Sequence, residues 1–92
     1  MSYRLAMHSD AQREWDQLDN SLKRRFKKKL LERSVTPRIP GSSLSGFADL
    51  YKIKISTPQF RLAYHVDDLT KTITIIALGS RDDIYEVMKH RA

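Results

Sequence analysis

The chain contains no cysteine, which removes disulfide frameworks, thiolate zinc sites and cysteine nucleophiles from consideration. No apolar run is long enough to cross a membrane, and the opening "MSYRLAMHSD" lacks the apolar core of a secretory signal. The expected address is therefore the cytoplasm, with no membrane partner. Carboxylates are outnumbered, 11 Asp and Glu against 17 Lys and Arg, and they do not cluster in the manner of a metal site. Asp67-Asp68 falls in a hairpin turn, where aspartate is ordinary, and Asp82-Asp83 opens the tail, where it can cap a helix. The histidines are equally scattered. His8 starts a capped turn, His90 lies in the tail, and His65 alone shares a strand face with cations. No metal and no cofactor are expected. Proline and glycine are scarce as well, and two of each of the three present gather in "TPRIPGSSLSG", which reads as an ordered loop.

What remains is a chain of 92 residues, 40% hydrophobic, with eight aromatics. That is enough for one small domain, residues 1–92, around one modest core. The net charge of +6 is unevenly spread: residues 21–40 alone sum to +7. The excess sits in "KRRFKKK", where Lys23, Arg24, Arg25, Lys27, Lys28 and Lys29 flank a lone phenylalanine. Such a patch attracts nucleic acid or an acidic protein.

The pattern of elements is α+β. "YRLAM" is a short edge strand. "SDAQREWDQL" begins a helix, with Ser9 as cap and Gln12 completing a capping box. Asp19-Asn20-Ser21 interrupts the stripe and caps a second helix over residues 21–35, buried through Leu22, Phe26 and Leu30. Three strands follow, 49–56, 60–67 and 72–80, joined by connections short enough for hairpins. The expected fold is thus an N-terminal strand, an αα-hairpin on one face, and a three-stranded antiparallel meander in one sheet, with a short C-terminal tail or helix.

The strand "LYKIKI" places Tyr51, Ile53 and Ile55 on one face and Lys52 and Lys54 on the other. "FRLAYHV" does the same with Phe60, Leu62, Tyr64 and Val66 against Arg61, Ala63 and His65. The apolar face suits the helices, which leaves Lys52, Lys54 and Arg61 in solvent at roughly the spacing of successive phosphates on a single strand. Three like charges so close do nothing for a core. In "ALGSRDDIY" Gly79 ends the last strand and Arg81 follows, although strict alternation places Arg81 on the opposite side. Tyr85 is either a stacking platform for a base or an anchor for the tail, and spacing favours the anchor.

The runs "EWDQLDNSLKRRFKKKLLE", "PRIPGSSLSGFADLYKIKI", "FRLAYHV" and "LGSRDDIY" together resemble the RelE toxins of bacterial toxin–antitoxin pairs over nearly the whole chain. The most specific parts are L-x-G-x-x-x-x-Y-K-I-K, then F-R-L-x-Y, then G-x-R with a downstream tyrosine. The resemblance implies a microbial-ribonuclease-like fold and metal-independent cleavage of messenger RNA in the ribosomal A site. The 2′-hydroxyl attacks the adjacent phosphate and leaves a 2′,3′-cyclic phosphate and a 5′-hydroxyl. It also implies a RelB-like antitoxin as partner, and operator DNA bound only by the toxin–antitoxin complex. Carried over motif by motif, the functional residues are Lys52, Lys54, Arg61 and Arg81, with Tyr85 matching less closely. Ser80 departs from the pattern, since many relatives carry Lys or His there.

In-line attack needs a base, charge stabilisation at phosphorus and a proton for the departing 5′-oxygen. Lysine acts as a base only as the neutral amine, a form that crowded cations favour. The expected roles are Lys54 as base, with Lys52 able to exchange with it, Arg61 as phosphate clamp, Arg81 as transition-state stabiliser or acid, and Tyr85 as stacking surface. The basic helix would meet ribosomal RNA or the antitoxin. Two other functions fit the same chain: a ParE-like binder that inhibits gyrase, and a catalytically silent RNA-binding or corepressor domain. The cationic set favours the nuclease.

Overall fold

The computed structural model describes residues 2–91. The elements run β1 (Arg4–Met7), α1 (Ser9–Asp16), α2 (Asn20–Val35), β2 (Leu50–Ile55), β3 (Phe60–Asp67), β4 (Thr72–Ser80) and α3 (Ile84–Arg91). The sheet order is β1-β4-β3-β2. β1 runs parallel to β4, while β2, β3 and β4 form the antiparallel meander.

α1 begins differently from the capping box read in the sequence. Ser9 is already helical, and His8 is the cap, its Nδ1 accepting from the Asp10 N–H at 3.1 Å. The cause lies in the sheet: the His8 N–H donates to the Ile75 carbonyl, so β1 hands over an extended His8 directly to the helix. Gln12 instead donates to Asp16 at 3.0 Å. α2 begins as its sequence suggests, with the Asp19 carboxylate accepting from the Leu22 N–H at 2.7 Å.

The main core lies between α1, α2 and one sheet face. Leu22, Phe26 and Leu30 of α2 meet Ile53, Ile55, Leu62 and Tyr64 there, and Phe26 tilts against Phe60 with ring centroids 6.2 Å apart. Fully burying a side chain such as Phe26 contributes about 1.5–3 kcal/mol.

The other face of the sheet is not left wholly to solvent. The tail folds as α3 and seats Ile84 and Met88 on Ala63, Ala77, Leu44 and Leu50. Two alanines on adjacent strands leave room for the helix to approach. Among the described residues, this cluster does not include Lys54 and Arg61, at the end of β2 and the start of β3, on the same face.

β4 carries one irregularity with large consequences. Ala63 pairs with Ala77, but Tyr64 pairs with Ile75, so Ile76 is an extra residue in the strand. Such a bulge exchanges the two faces for everything beyond it. Ile73 and Ile75 lie on the core side before the bulge, and Leu78 lies there after it.

β1 reaches only as far as Ile75, and past that point no described strand pairs with the outer edge of β4. Side chains take over. The Leu78 N–H donates to Glu14 Oε1 at 3.0 Å, and Arg91 Nη1 donates to the Ile76 carbonyl at 3.2 Å. Arg91 also grips Glu14 with two parallel hydrogen bonds of 2.8 and 2.7 Å, the strong bidentate geometry. The pair fastens α1 and α3 to the same stretch of strand.

Candidate active site: a cationic cleft at the sheet edge

The register brings the sequence-predicted cations together. Lys54 lies opposite Arg61, Lys52 opposite Ala63, and Arg61 opposite Gly79. Directly opposed residues have Cβ atoms about 4.5–5.5 Å apart, and Lys52 follows Lys54 at about 6.7 Å along the same face. Lys54 is exposed, and Lys52 and Arg61 are half-buried. Among the described residues none of Lys52, Lys54, Arg61 and Arg81 forms an ion pair. Their mutual repulsion is unrelieved by the protein, which is the electrostatic condition for binding an anion.

A cleft of about 340 Å³ opens beside this group, with Lys29 and Arg33 of α2, Ser42 of the loop, and Lys52 and Lys54 among its walls. The loop is fixed to the outer edge of β2. The Lys52 N–H donates to the Ser42 carbonyl at 2.9 Å, and Ser43 bridges Tyr51. Gly41 and Gly46 supply the left-handed conformations, φ 84° and 85°, that the loop needs on either side.

Arg33 was absent from the residues singled out in the sequence. Its Nη1 donates to the Tyr64 hydroxyl at 2.8 Å and to the Lys52 carbonyl at 3.2 Å. Tyr64 in turn donates to the Pro37 carbonyl at 2.7 Å. Burial pushes the Tyr64 hydroxyl up, against the opposing pull of Arg33, so it stays a neutral donor. The available signal was the four-residue step from Lys29 to Arg33, which puts both on one helix face.

The basic helix is not one patch. Lys29 turns to the cleft, and the Arg25 guanidinium donates to the Thr57 carbonyl at 2.9 Å. Lys23, Arg24 and Lys27 line a separate concavity with Trp15, and Lys28 is exposed.

Arg81 is exposed in the turn after β4. The bulge at Ile76 corrects the sequence expectation that alternation sends it away. Gly79 lies opposite Arg61, so Arg81, two residues on, is in phase with the cationic face. Ser80 builds the turn: its hydroxyl donates to Asp83 Oδ2 at 2.8 Å and accepts from the Asp83 N–H at 3.3 Å. Tyr85 stands 39% exposed. The tail is anchored by Ile84 and Met88 instead, so the packing role expected for Tyr85 falls to its neighbours.

His65 is set apart. It lies four residues from Arg61, about 13 Å along the strand, and lines a cavity of about 350 Å³ with Phe47, Leu50 and Ile76. Three carboxylates, Asp49, Asp67 and Asp68, lie at the far end of the sheet. Arg38 bridges Asp49 and Asp68 at 2.9 Å each, and Tyr3 donates to Asp68 at 2.6 Å. The Tyr3 hydrogen bond, then Arg38, hold the Asp68 carboxyl below its usual range. Asp67 accepts from the Leu69 and Thr70 N–H groups and closes the hairpin.

Residues 5–85 match the family described as the ParE toxin of a type II toxin–antitoxin system. The chain is 37% identical to the mRNA interferase toxin RelE of Escherichia coli (strain K12), over 89% of this chain and 86% of that one. It superposes on a double mutant of the E. coli toxin RelE in the free state with a TM-score of 0.89 and 34% identity, covering 99% of this chain and 95% of that chain. On the intact E. coli RelBE toxin–antitoxin complex the TM-score is 0.84 at 35% identity, over 86% and 96%. Full-length likeness to RelE proteins joins the broader ParE family match, and the chain belongs to the RelE family of the RelE/ParE toxin superfamily.

Proposed function

We propose that this protein is the toxin of a type II toxin–antitoxin pair, a ribosome-dependent endoribonuclease that cuts messenger RNA in the ribosomal A site. The observation that carries the reading is the Lys54–Arg61 cross-strand pair beside Lys52, with no carboxylate in ion-pair reach among the described residues, in a chain 37% identical to an mRNA interferase.

The reaction forms a bond from the 2′-oxygen to phosphorus and breaks the bond from phosphorus to the 5′-oxygen. Lys54 takes the 2′-hydroxyl proton, and Lys52 beside it is the other candidate. Arg61 clamps the non-bridging oxygens with its planar fork. Arg81 stabilises the departing 5′-oxygen, which takes up a proton to become the 5′-hydroxyl. Tyr85, exposed on α3, stacks on a base. Lys23, Arg24, Arg25, Lys27, Lys28 and Lys29 supply charge toward ribosomal RNA, with counterion release adding affinity.

A RelB-like antitoxin is the expected partner, since the chain resembles the toxin of a solved RelBE complex; operator DNA is met only through that complex. No described helix is long and apolar enough to cross a membrane, and the site of action is the cytoplasm. A gyrase-inhibiting binder does not need the cationic cluster, and a catalytically silent RNA-binding or corepressor domain is separated from the nuclease by cleavage itself.

Primer extension on programmed ribosomes, with free RNA as control, tests this reading. A ribosome-dependent A-site cut that disappears in Arg61→Ala and Arg81→Ala is expected. A folded wild-type protein that leaves the message intact overturns it.

A further inference from the structure

We propose that Lys29 and Arg33 of α2 hold a phosphate of the substrate RNA next to the one that is cut, so that the cleft at the edge of β2 is a second phosphodiester subsite. The proposal rests on the nuclease reading and adds a site to it.

Three observations carry it. The cleft is lined by four cations from two elements, Lys29 and Arg33 on α2 and Lys52 and Lys54 on β2. Lys52 and Lys54 therefore belong both to this cleft and to the face that bears Arg61, which makes cleft and reaction site continuous. Second, none of the four forms an ion pair among the described residues, whereas Arg13, Arg38, Lys89 and Arg91 all do. No described carboxylate neutralises the four, so their charge is available to an outside anion.

Third, Arg33 is held in place before any ligand arrives. Both of its side-chain hydrogen bonds leave from Nη1, to Tyr64 and to the Lys52 carbonyl, and Tyr64 is itself fixed to Pro37. A guanidinium anchored by one nitrogen presents the rest of its fork at little further loss of freedom, which favours a planar two-point grip on phosphate. Lys29, one helical turn before it, adds a mobile point charge. Ser42 lines the same cleft from the loop side. A single RNA strand with phosphates about 6–7 Å apart, close to the two-residue step along a strand, runs from the Lys54–Arg61 pair into this groove.

The test removes one charge from each side of the contact. Messages carrying a single methylphosphonate, which deletes one phosphate charge, are scanned across the positions flanking the cut, and single-turnover cleavage is measured on programmed ribosomes. For wild type, one flanking position is expected to slow cleavage about tenfold, the effect of losing a charged hydrogen bond. Lys29→Gln is expected to be slowed similarly on unmodified message, and the methylphosphonate at that position is expected to add nothing further. Lys29→Arg keeps the sensitivity. Arg33→Lys is expected to fall between wild type and Lys29→Gln. Lys29 makes no side-chain hydrogen bond among the described residues, so an unchanged melting temperature of Lys29→Gln accompanies these results.

If the two losses multiply at every position, or if Lys29→Gln cleaves like wild type, the subsite is wrong while the nuclease reading stands. If wild type fails to cut even unmodified message, the nuclease reading fails and the subsite falls with it.

Discussion

Arg61 of β3 lies directly opposite Gly79 of β4, so the arginine proposed to clamp phosphate faces a strand position with no side chain. A Cβ built at Gly79 meets nothing within 4 Å, and its backbone is not in the left-handed region. Gly79→Ala is therefore expected to fold with stability within about 0.5 kcal/mol of wild type. Gly79→Leu is expected to fold also, while projecting bulk beside Arg61 and slowing cleavage by about tenfold or more through displaced substrate. Thermal melts paired with single-turnover rates check this; a Leu variant as fast as wild type means that RNA does not pass over Gly79.

Arg61→Ala removes a half-buried guanidinium that makes no ion pair among the described residues. Relief of repulsion with Lys54 should leave the melting temperature unchanged or raise it. Cleavage should fall about 10²–10³-fold, the usual loss for one oxyanion-stabilising donor. A variant that melts lower and cleaves normally reverses the assignment from function to structure.

Glu14 gives stability a definite pH dependence. Burial pushes its carboxyl up, but Arg91 and the Leu78 N–H outweigh burial and hold it below the ordinary carboxylate range. A depressed value means that the contribution is complete above the unfolded pKa and is lost as pH falls through the folded one. Glu14→Gln should lose about 1–2 kcal/mol near neutrality, roughly 4–16 °C in a chain of this size. The gap to wild type should narrow below about pH 4. Parallel melts from pH 7 to 3 measure it, and a gap that widens in acid contradicts the sign.

Tyr64 is buried, and its hydroxyl both donates to Pro37 and accepts from Arg33. Tyr64→Phe leaves those two groups short of a partner, an expected loss of about 1–3 kcal/mol. Because Arg33 lines the cleft, cleavage should fall as well, more than for a surface change of equal stability. Denaturant melts with rates at a temperature where both proteins are folded separate the two effects.

The split of the basic helix predicts a split in function. Lys23→Glu with Lys27→Glu alters the concavity beside Trp15 and leaves the cleft untouched. Ribosome binding at physiological salt should weaken and its salt dependence flatten, while cleavage once bound stays near wild type. Unchanged binding removes the docking role.

Most of the architecture was legible because its signals are local. Lys52 and Lys54 alternate with Ile53 and Ile55, and Leu22, Phe26 and Leu30 repeat at four, so face and core followed from periodicity alone. The three strands of the meander fell within a residue of their observed ends. What stayed hidden depends on partners distant in sequence. Ile76 sits in an unbroken apolar run and gives no sign of being a bulge, yet it decides which face Gly79 and Arg81 serve. His8 became a cap because Ile75 holds its N–H. Arg33 looked like one more cation on a basic helix until Tyr64 and Lys52 were seen to hold it. The tail gave no choice between helix and extension, since the alanines that receive it lie on other strands.

The Glu14–Arg91 clamp spans 77 positions, and every other element precedes Arg91 in the chain. The stretch of β4 beyond Ile75 is closed by side chains instead of a paired strand. Losing either partner would bare the Ile76 carbonyl or the Leu78 N–H on a sheet edge, the kind of edge that recruits a strand from a second copy. The clamp therefore guards against edge-to-edge association as well as fastening two helices.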